Sequence, residues 1–286
     1  MTETGIRKAG DIMRDFQYRE PEILPKAEFD CPKHGKYTGC PIKSFVFFGN
    51  NDDEGFITNP ECPKCVEEES IRRERAEAEE KKRKEIERFI DMGIDEKYWP
   101  ETLSTFNAYT PELEKHLEAV RKFSENPEDR KLVMLGENGN GKTHLAIGAL
   151  KTIGGLIYTA YEIGLILRES YYGTINQYDF LQKLCKTPLL VIDEVEKVSE
   201  TQAKQNWLSH IIGKRYNKML PVIFISNCHS QVDCSYYKAK HEPCSKCIEY
   251  HLENDVLSRI VENGQVMNFM GEDYRYKIRM ERREKQ

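Results

Sequence analysis

Long apolar runs are absent from this sequence of 286 residues. Its longest uninterrupted apolar stretches are about five residues, whereas a membrane-spanning helix needs roughly 20, which excludes a membrane span and a membrane partner. The opening stretch "MTETGIRKAG" has no apolar segment of the kind that a signal peptide requires, so we expect a cytoplasmic protein. Its thiols should then be reduced.

An excess of positive charge is also absent. The formal net charge is −5 at pH 7, from 43 Lys and Arg against 48 Asp and Glu. A protein that coats nucleic acid needs a strongly basic surface, so this balance argues against that class and leaves room only for local basic patches. The length suits one α/β domain with a smaller partner domain.

A glycine-rich stretch, "GENGNGKT", carries the strongest functional signal. It fits the pattern G-x-x-x-x-G-K-[ST], in which backbone N–H groups turn toward phosphates, the lysine reaches the terminal phosphates and the hydroxyl binds Mg²⁺. An apolar strand predicted at 131–135 precedes it and a helix predicted at 143–151 follows it, which is the context that the motif requires. The predicted ATP-binding residues are Gly136, Glu137, Asn138, Gly139, Asn140, Gly141, Lys142, Thr143, His144 and Asp193.

Further apolar stretches alternate with helical segments. They lie at 155–159, 188–194, 221–227 and 265–269, and a helix is predicted at 111–126. This alternation predicts an α/β fold with a parallel sheet, in which ligands bind at the carboxyl edge of the strands. The polar residues that end these strands should therefore converge on the phosphate loop.

Polar residues at those strand ends are predicted to complete an ATPase site. We expect Asp193 to serve Mg²⁺ and Glu194 to polarise the attacking water. Asn227 could orient that water, and a turn-forming asparagine is an equal alternative. Arg259 and Arg275 flank the last strand, and each could supply the positive charge that phosphoryl transfer requires.

The composition predicts three segments. Residues 1–66 are rich in Pro, Gly, Asn and Asp, which suits a small, irregular module stapled by metal. Residues 67–91 contain an almost wholly charged stretch whose interleaved signs predict an exposed linker helix. A coiled coil or DNA-binding arm is disfavoured, because the apolar stripe that a partner would bury is nearly absent. Residues 92–286 are the predicted nucleotide domain.

Nine cysteines in a reducing compartment favour metal ligands over disulfides. A Cys-x₂-His pair and a Cys-x₂-Cys pair in the first segment can direct two tight turns at one Zn²⁺. A proline follows the first cysteine of each pair and stiffens its turn. The predicted ligands of this first site are Cys31, His34, Cys62 and Cys65, with Cys40 in reserve.

A second group of Cys and His residues lies between Asn227 and Arg259, around another Cys-x₂-Cys pair. Solvated loop thiols are the alternative to a metal site here. Cys185 has no partner in the sequence and is expected to be a small core residue. The predicted ligands of this second site are Cys228, Cys234, Cys244 and Cys247, with His229, His241 and His251 as competitors.

The motifs "GENGNGKTHLA", "LLVIDEV", "VIFISN", "LSRI" and "GEDYR", in their order and spacing, resemble the DnaC/DnaI branch of AAA+ ATPases, the loaders of replicative helicases. The resemblance covers roughly residues 92–277 and includes "MGIDEKYWPETLSTF" before the ATPase core. The Cys- and His-rich connection is longer than that pattern needs. The roles that the resemblance implies are Walker A for Lys142 and Thr143, Walker B for Asp193 and Glu194, sensor 1 for Asn227, arginine finger for Arg259 and sensor 2 for Arg275.

The resemblance implies an ATP-dependent loader that places a DnaB-type hexameric helicase on single-stranded DNA. Its expected cofactors are ATP, Mg²⁺ and Zn²⁺; the N-terminal module would bind the helicase, and the ATPase domain would self-associate. Aromatic residues and Arg168, within 158–180, could bind single-stranded DNA, and a helix buried in the core is an equal reading of that stretch. The alternative function is an IstB-like transposition helper ATPase acting on duplex DNA, against which the zinc module argues.

Overall fold

The computed structural model describes residues 20–45, 55–127, 130–170, 173, 176–198, 202–271 and 273–274. The chain divides into two compact units, Met1–Arg83 and Lys84–Gln286. A long helix, α1 (Pro63–Asp91), contributes to both. Among the described helices, none is both long enough and apolar enough to span a membrane.

Short antiparallel strands form the N-terminal unit, where the sequence predicts irregular structure. β1 (Glu22–Ile23), β4 (Ile42–Phe45) and β5 (Gly55–Thr58) make one sheet, and β2 (Ala27–Cys31) and β3 (Gly35–Gly39) make a hairpin. Strands of two to five residues are too short to show a clear alternation of apolar and polar residues. The end of the apolar run "SFVFF" lies outside the described residues.

The charged stretch forms the continuous helix α1, as predicted. Opposite charges lie on adjacent turns: Arg73 Nε donates to Glu77 Oε1 at 2.9 Å, and Arg83 Nη2 lies 2.7 Å from Glu80 Oε2. Exposed pairs of this kind contribute about 0.3–0.5 kcal/mol each. Phe89 is the one buried side chain of the helix, so α1 buries no apolar stripe along its length.

Five parallel strands form the sheet of the C-terminal unit, in the order β10-β6-β9-β8-β7. Each strand begins and ends within one residue of its predicted position. The central strands β6, β9 and β8 are buried along nearly their whole length, and such strands appear in a sequence as continuous apolar runs. The strands are β6 (Lys131–Leu135), β7 (Gly155–Thr159), β8 (Leu189–Asp193), β9 (Val222–Ser226) and β10 (Gly264–Asn268).

Side-chain caps set the start of several helices. The Thr110 hydroxyl accepts from the Leu113 N–H at 3.2 Å, and Thr159 and Glu162 form a reciprocal capping box. Each cap satisfies N–H groups that lack a partner in the first helical turn. The helices of this unit after α1 are α2 (Pro111–Glu125), α3 (Lys142–Ile153), α4 (Ala160–Glu169), α5 (Gln177–Lys186), α6 (Gln202–Tyr216), α7 (Ser235–Lys240), α8 (Ile248–His251) and α9 (Asn254–Val261).

Alternate strand residues face two separate apolar cores. Leu132 and Met134 of β6 pack with α2 and α3 on one face of the sheet. Val133 and Leu135 pack on the other face, with residues of α4, α5, α6 and α9. Cys185 is buried in this second core, as predicted. The two cores hold the carboxyl edge of the sheet, where the functional residues lie, as a rigid platform.

A fully buried arginine that the sequence did not reveal joins two loops at the opposite edge of the sheet. The Arg215 guanidinium donates to four carbonyl oxygens at 2.6–3.0 Å, and burial lowers its pKa to about 10. These carbonyls belong to the last turn of α5 and to residues just before β8 and β9, so one side chain fixes the entry to both strands. The acceptors are those of Leu184, Thr187, Pro188 and Pro221.

Candidate functional site

The glycine-rich stretch is the loop between β6 and α3. Gly136, Gly139 and Gly141 have φ values of 133°, 82° and 86°, in the region that favours glycine. A Cβ on Gly141 would lie 2.7 Å from the Phe106 ring, and one on Gly136 would collide with the Phe269 carbonyl oxygen. The glycines are therefore required both by backbone conformation and by close neighbours, and they form a loop of the phosphate-binding type.

Lys142 and Thr143 follow the loop at the start of α3. Lys142 Nζ folds back over the loop and donates to the carbonyl oxygens of Gly136 and Glu137, each at 2.6 Å. The Thr143 hydroxyl donates to Asp193 Oδ2 at 3.0 Å. A hydroxyl and a carboxylate in contact are the oxygen donors that Mg²⁺ prefers. The donor set of Thr143 and Asp193 therefore fits a magnesium site.

Asp193 and Glu194 end β8, beside the loop. Burial raises the pKa of the Asp193 carboxyl, and the Glu194 N–H, 2.7 Å from Asp193 Oδ1, acts in the opposite direction. Glu194 has a left-handed backbone with φ 51°, a conformation that is uncommon for residues other than glycine. Its Oε2 accepts from Lys197 Nζ at 2.8 Å, so a lysine pairs with the predicted catalytic carboxylate in this structure.

Asn227 follows β9 and contacts an acidic residue that the sequence analysis missed. Asn227 Nδ2 donates to Glu196 Oε1 at 3.0 Å, and the Ser226 hydroxyl donates to Glu196 Oε2 at 2.8 Å. Glu196 is the third carboxylate of "DEVEK" after β8. Its position two residues after Glu194 could have suggested a role in the site. Its partners, Ser226 and Asn227, lie at the end of another strand, so the sequence did not indicate the contact.

These residues surround a cavity of about 430 Å³, a size typical of small-ligand sites. Thr143, Asp193, Glu194 and Asn227 line it together with the loop, and the segment from Gly93 to Tyr98 lines it as well. The predicted nucleotide residues from Asn138 to His144 thus share one cavity. The structure therefore supports a nucleotide site here.

His144 is held away from the loop by the preceding segment. Its Nδ1 lies 2.5 Å from Glu101 Oε2, and its Nε2 lies 2.9 Å from the Thr102 carbonyl oxygen. The ring also packs edge-on against Phe106. His144 thus lines the wall of the cavity, and its contact with the nucleotide stays a prediction.

Of the two predicted arginines, Arg259 lies among the described residues. Arg259 lies on α9, where its Nη1 donates to Asp255 Oδ2 at 2.8 Å. It is not among the described residues that line the cavity. Arg275 lies outside the described residues, but the preceding N–H, that of Tyr274, donates to the Gly139 carbonyl oxygen at 3.1 Å. The segment after β10 therefore contacts the phosphate loop.

The predicted DNA-binding stretch divides between core and surface. In α4, Ile163 and Leu167 are buried in the core, as expected for a core helix, the alternative to DNA binding for this stretch. Tyr161 is 58 % exposed, and Tyr178 on α5 is 67 % exposed. Part of the connection between these helices lies outside the described residues. Exposed aromatic side chains remain available for a contact with nucleic acid.

The first predicted metal set comes together in the N-terminal unit. Cys31 ends β2 and His34 lies in the turn that follows, while Cys62 directly precedes α1 and Cys65 lies in its first turn. Their donor atoms lie within 4.8 Å of one another. Backbone N–H groups of the Cys31 turn lower the pKa of its thiol to about 6. Three thiols and one imidazole are a donor set that Zn²⁺ accepts, and Cys40 is exposed and outside this set.

Glu68 orients the histidine of this set, a contact that the sequence did not reveal. Its Oε1 lies 3.0 Å from His34 Nε2, and its other oxygen pairs with Lys33. The bond to Glu68 places the proton on Nε2. The unprotonated Nδ1, 3.2 Å from Cys65 Sγ, is then the atom that can bind a metal. A carboxylate behind a ligating histidine is the usual second partner at zinc sites.

The second predicted set needs one correction. Cys234, Cys244 and Cys247 come together as predicted, but their fourth member is His229. Cys228 instead packs in the apolar core against the sheet, where burial raises the pKa of its thiol. Neighbouring residues that leave a strand point in opposite directions, so Cys228 and His229 cannot both face the cluster.

Sequence comparison identifies a family for most of the chain. The family described as IstB-like ATP binding protein matches residues 71–282. A relative, the "Uncharacterized protein YdaV" of Escherichia coli (strain K12), is 33% identical over 97 residues, which are 32% of this chain and 39% of that protein. The match therefore spans about two fifths of that relative's length.

Structural comparison finds the same fold in replication proteins. The crystal structure of the DnaC helicase loader superposes with a TM-score of 0.53 at 23% identity, covering 62% of this chain and 100% of that one. AMPPCP-bound DnaA from Aquifex aeolicus superposes with a TM-score of 0.50 at 22% identity, covering 67% and 56%. These similarities confirm the predicted AAA+ fold.

Proposed function

This chain belongs to the family of IstB-like ATP-binding proteins, and from that premise we propose that it loads a DnaB-type hexameric helicase onto single-stranded DNA. As a member of an AAA+ family with an intact phosphate loop, the chain is an ATPase. One observation carries the proposal: an ATP site built on the fold of the DnaC loader accompanies a separate N-terminal unit with its own Cys/His cluster.

The loop residues bind the nucleotide in this proposal. Phosphate oxygens replace the loop carbonyls as partners of Lys142 Nζ, which favours a negatively charged ligand over the loop's own neutral oxygens. Thr143 and Asp193 would hold Mg²⁺, which supplies charge neutralisation at the phosphates when bound. Burial of Asp193 keeps water away from this pair and strengthens its interaction with a cation.

Glu194 and Asn227 act on the attacking water. Glu194 Oε2 accepts from Lys197 Nζ, which leaves Oε1 to take the proton of the water. Asn227 orients the water through its amide, which Glu196 holds in place. A helicase or DNA signal that separates Glu194 from Lys197 would free both carboxylate oxygens for the water and so stimulate the reaction.

Arg259 is proposed to act on a neighbouring subunit. It lies outside the residues that line its own cavity, on a helix with an exposed face. A charge supplied in trans neutralises the γ-phosphate as transfer proceeds. Self-association through the ATPase unit would then complete each site, and the ion pair of Arg259 with Asp255 would pre-orient the guanidinium.

The N-terminal unit is proposed to bind the helicase. On the sheet of β1, β4 and β5, Ile23 pairs directly with Ile42, and Phe56 lies two residues from the position opposite Ile42. The three side chains are 75 %, 42 % and 52 % exposed. A cluster of exposed apolar residues on so small a unit favours a protein contact, and the Cys/His cluster would hold the sheet in shape for it.

Single-stranded DNA is the proposed nucleic acid. Exposed tyrosines such as Tyr161 can stack on unpaired bases, and Arg168 on the same helix supplies positive charge. Stacking needs unpaired bases, whereas duplex DNA presents its phosphates and groove edges. The surface of α4 therefore favours a single strand.

A second candidate function is that of a transposition helper ATPase on duplex DNA. The observation that favours it is the family match itself, which carries the IstB name. That match begins at residue 71, so the N-terminal Cys/His unit precedes it. An additional unit with an exposed apolar face distinguishes this chain from an ATPase that needs only DNA, and it favours the loader.

Purification of the full-length chain with a replicative helicase tests the choice. The loader proposal expects a stable complex of defined mass, lost in Phe56→Asp and retained in Cys40→Ser, and ATPase activity stimulated by single-stranded DNA. Phe56→Asp should keep its zinc content, which shows that the unit is still folded. No complex with the helicase, together with stimulation by duplex DNA alone, would replace the loader with the transposition helper.

A further inference from the structure

We infer that His229, Cys234, Cys244 and Cys247 form a structural Zn²⁺ site inside the ATPase unit, and that this site holds Asn227 and the phosphate loop in place for hydrolysis. The coupling to hydrolysis rests on the proposed ATPase mechanism. The metal site itself does not, because it stands on the geometry of the four side chains, called here the second cluster.

The distances within the second cluster fit tetrahedral Zn²⁺. Bonds of about 2.3 Å to sulfur and about 2.05 Å to nitrogen give S···S edges of about 3.8 Å and S···N edges of about 3.6 Å. Cys244 Sγ lies 3.6 Å from the Sγ atoms of both Cys234 and Cys247, and 3.8 Å from His229 Nε2. The ligand atoms of all four residues lie within 4.8 Å of one another, so they can surround one ion.

The imidazole of the second cluster is already oriented for a metal. His229 Nδ1 lies 3.1 Å from the Ser230 carbonyl oxygen, a bond that places the proton on Nδ1. Nε2 then carries the free lone pair 3.8 Å from Cys244 Sγ, while Cys247 Sγ lies 3.6 Å from Nδ1. A backbone carbonyl behind a ligating histidine fixes the tautomer in the same way at known zinc sites.

The stretch that carries the ligands has no apolar core of its own. From residue 229 to residue 247, all of which are described, the only buried apolar side chains are those of Cys234 and Cys247. Two short helical turns and a Cys-x₂-Cys turn cannot be held by so little apolar burial. A metal that joins four side chains supplies the missing free energy of folding.

The second cluster is connected to the ATP site through the chain from Asn227 to His229 and through one backbone hydrogen bond to the phosphate loop. His229 lies two residues after Asn227, and its N–H donates to the Lys246 carbonyl oxygen at 3.0 Å. Cys228 lies between Asn227 and His229, and its carbonyl oxygen accepts from the N–H of Gly136, the first glycine of the phosphate loop, at 3.0 Å. A metal that fixes His229 thereby limits the movement of the sensor asparagine on one side and of the loop on the other.

A third contact joins the cluster to the sheet. Asp233 Oδ2, next to the ligand Cys234, accepts from Asn268 Nδ2 of β10 at 3.0 Å. Glu249 accepts from the Ser230 hydroxyl and from the Gln231 N–H, each at 2.9 Å. These hydrogen bonds connect the ligand-bearing stretch to β10 and to the segment just after Cys247.

Zinc content of the full-length chain tests the site independently of activity. We expect two Zn²⁺ per wild-type chain, one in Cys244→Ser, and two in both Cys228→Ser and His229→Cys, because cysteine preserves a ligand and Cys228 is not one. With Co²⁺ as the probe, the thiolate charge-transfer absorbance should fall by about half in Cys244→Ser. Two metal ions in Cys244→Ser, or one in Cys228→Ser, would overturn the ligand set.

Hydrolysis at saturating ATP tests the coupling. Cys244→Ser should lose on the order of 10-fold in kcat, since a small displacement of a catalytic group is costly, while the exposed-site control Cys40→Ser keeps the wild-type rate. A Cys244→Ser protein that has lost one zinc but hydrolyses at the wild-type rate would refute the coupling. If Cys244→Ser does not fold, zinc content and kcat of His229→Ala give the same comparison. A wild-type chain without ATPase activity would refute the proposed function, and zinc content would still decide the site.

Discussion

Glu196 holds Asn227 by a hydrogen bond of 3.0 Å between Glu196 Oε1 and Asn227 Nδ2. The same carboxylate accepts from the Ser226 hydroxyl at 2.8 Å. One acidic side chain after β8 therefore fixes the polar end of β9. With its amide nitrogen occupied, Asn227 can turn its amide oxygen to another partner, which in the proposed mechanism is the attacking water.

Loss of the Glu196 carboxylate should slow hydrolysis. Glu196→Ala is expected to lower kcat on the order of 10-fold with little change in ATP affinity, because it frees the amide without touching the phosphate loop. Glu196→Gln, which retains an acceptor oxygen, should be less affected. Steady-state kinetics of Glu196→Ala, Asn227→Ala and the double variant will show whether the two losses overlap. Fully additive losses would mean that Glu196 does not act through Asn227.

Binding and hydrolysis should separate at the phosphate loop. Lys142→Ala is expected to abolish ATP binding, whereas Glu194→Gln should bind ATP normally and lose on the order of 10²-fold in kcat, because it acts on the water. A fluorescent-ATP titration and a phosphate-release assay measure the two effects. Lys115→Ala, on the exposed face of α2, is the control. If Lys142→Ala binds ATP with wild-type affinity, the nucleotide does not bind at this loop.

Arg259 should act across a subunit interface. Arg259→Ala is expected to bind ATP nearly as well as wild type and to lose stimulated hydrolysis, on the order of 10³-fold for an arginine supplied in trans. Arg121→Ala on α2 is the control. Mixing Arg259→Ala with Lys142→Ala gives the sharper measurement, because each variant supplies what the other lacks. Mixed assemblies that form but regain no activity at any ratio would place the charge elsewhere.

The Glu68 carboxylate should strengthen zinc binding at the first cluster. Glu68→Gln is expected to weaken zinc affinity by about 10- to 100-fold, because the bond to His34 Nε2 orients the ring and raises the basicity of Nδ1. Competition with a chelator of known affinity measures this change. Glu67→Gln, one residue earlier and exposed, should retain wild-type affinity. Equal affinities for the two variants would exclude Glu68 from the site.

Arg215 should contribute to stability without contributing to catalysis. Arg215→Met is expected to lower the free energy of unfolding by about 3 kcal/mol or more, because it leaves buried carbonyl oxygens without their donor. The exposed control Arg121→Met should change it by less than about 0.5 kcal/mol. Urea denaturation measures both. Equal stability of the two variants would show that water or backbone donors replace the guanidinium.

The sequence by itself determined the sheet and the phosphate loop. Buried parallel strands are continuous apolar runs, so β6 was found at its observed bounds. The loop is a contiguous motif whose spacing is set by local backbone geometry, so the glycines and Lys142 could be identified without a structure. The domain boundaries and the role of each site residue stay predictions. The role of a residue depends on the nucleotide, DNA or protein that it contacts.

Only the tertiary structure decided which side chains meet. Glu196 and Asn227 lie 31 positions apart in the sequence, and His34 and Glu68 lie 34 apart, so no local spacing predicts either contact. The choice of His229 over Cys228 depends on which way each side chain turns as the chain leaves β9. Composition counts donors, but the direction of a side chain and its burial follow from packing, and packing is a property of the folded chain alone.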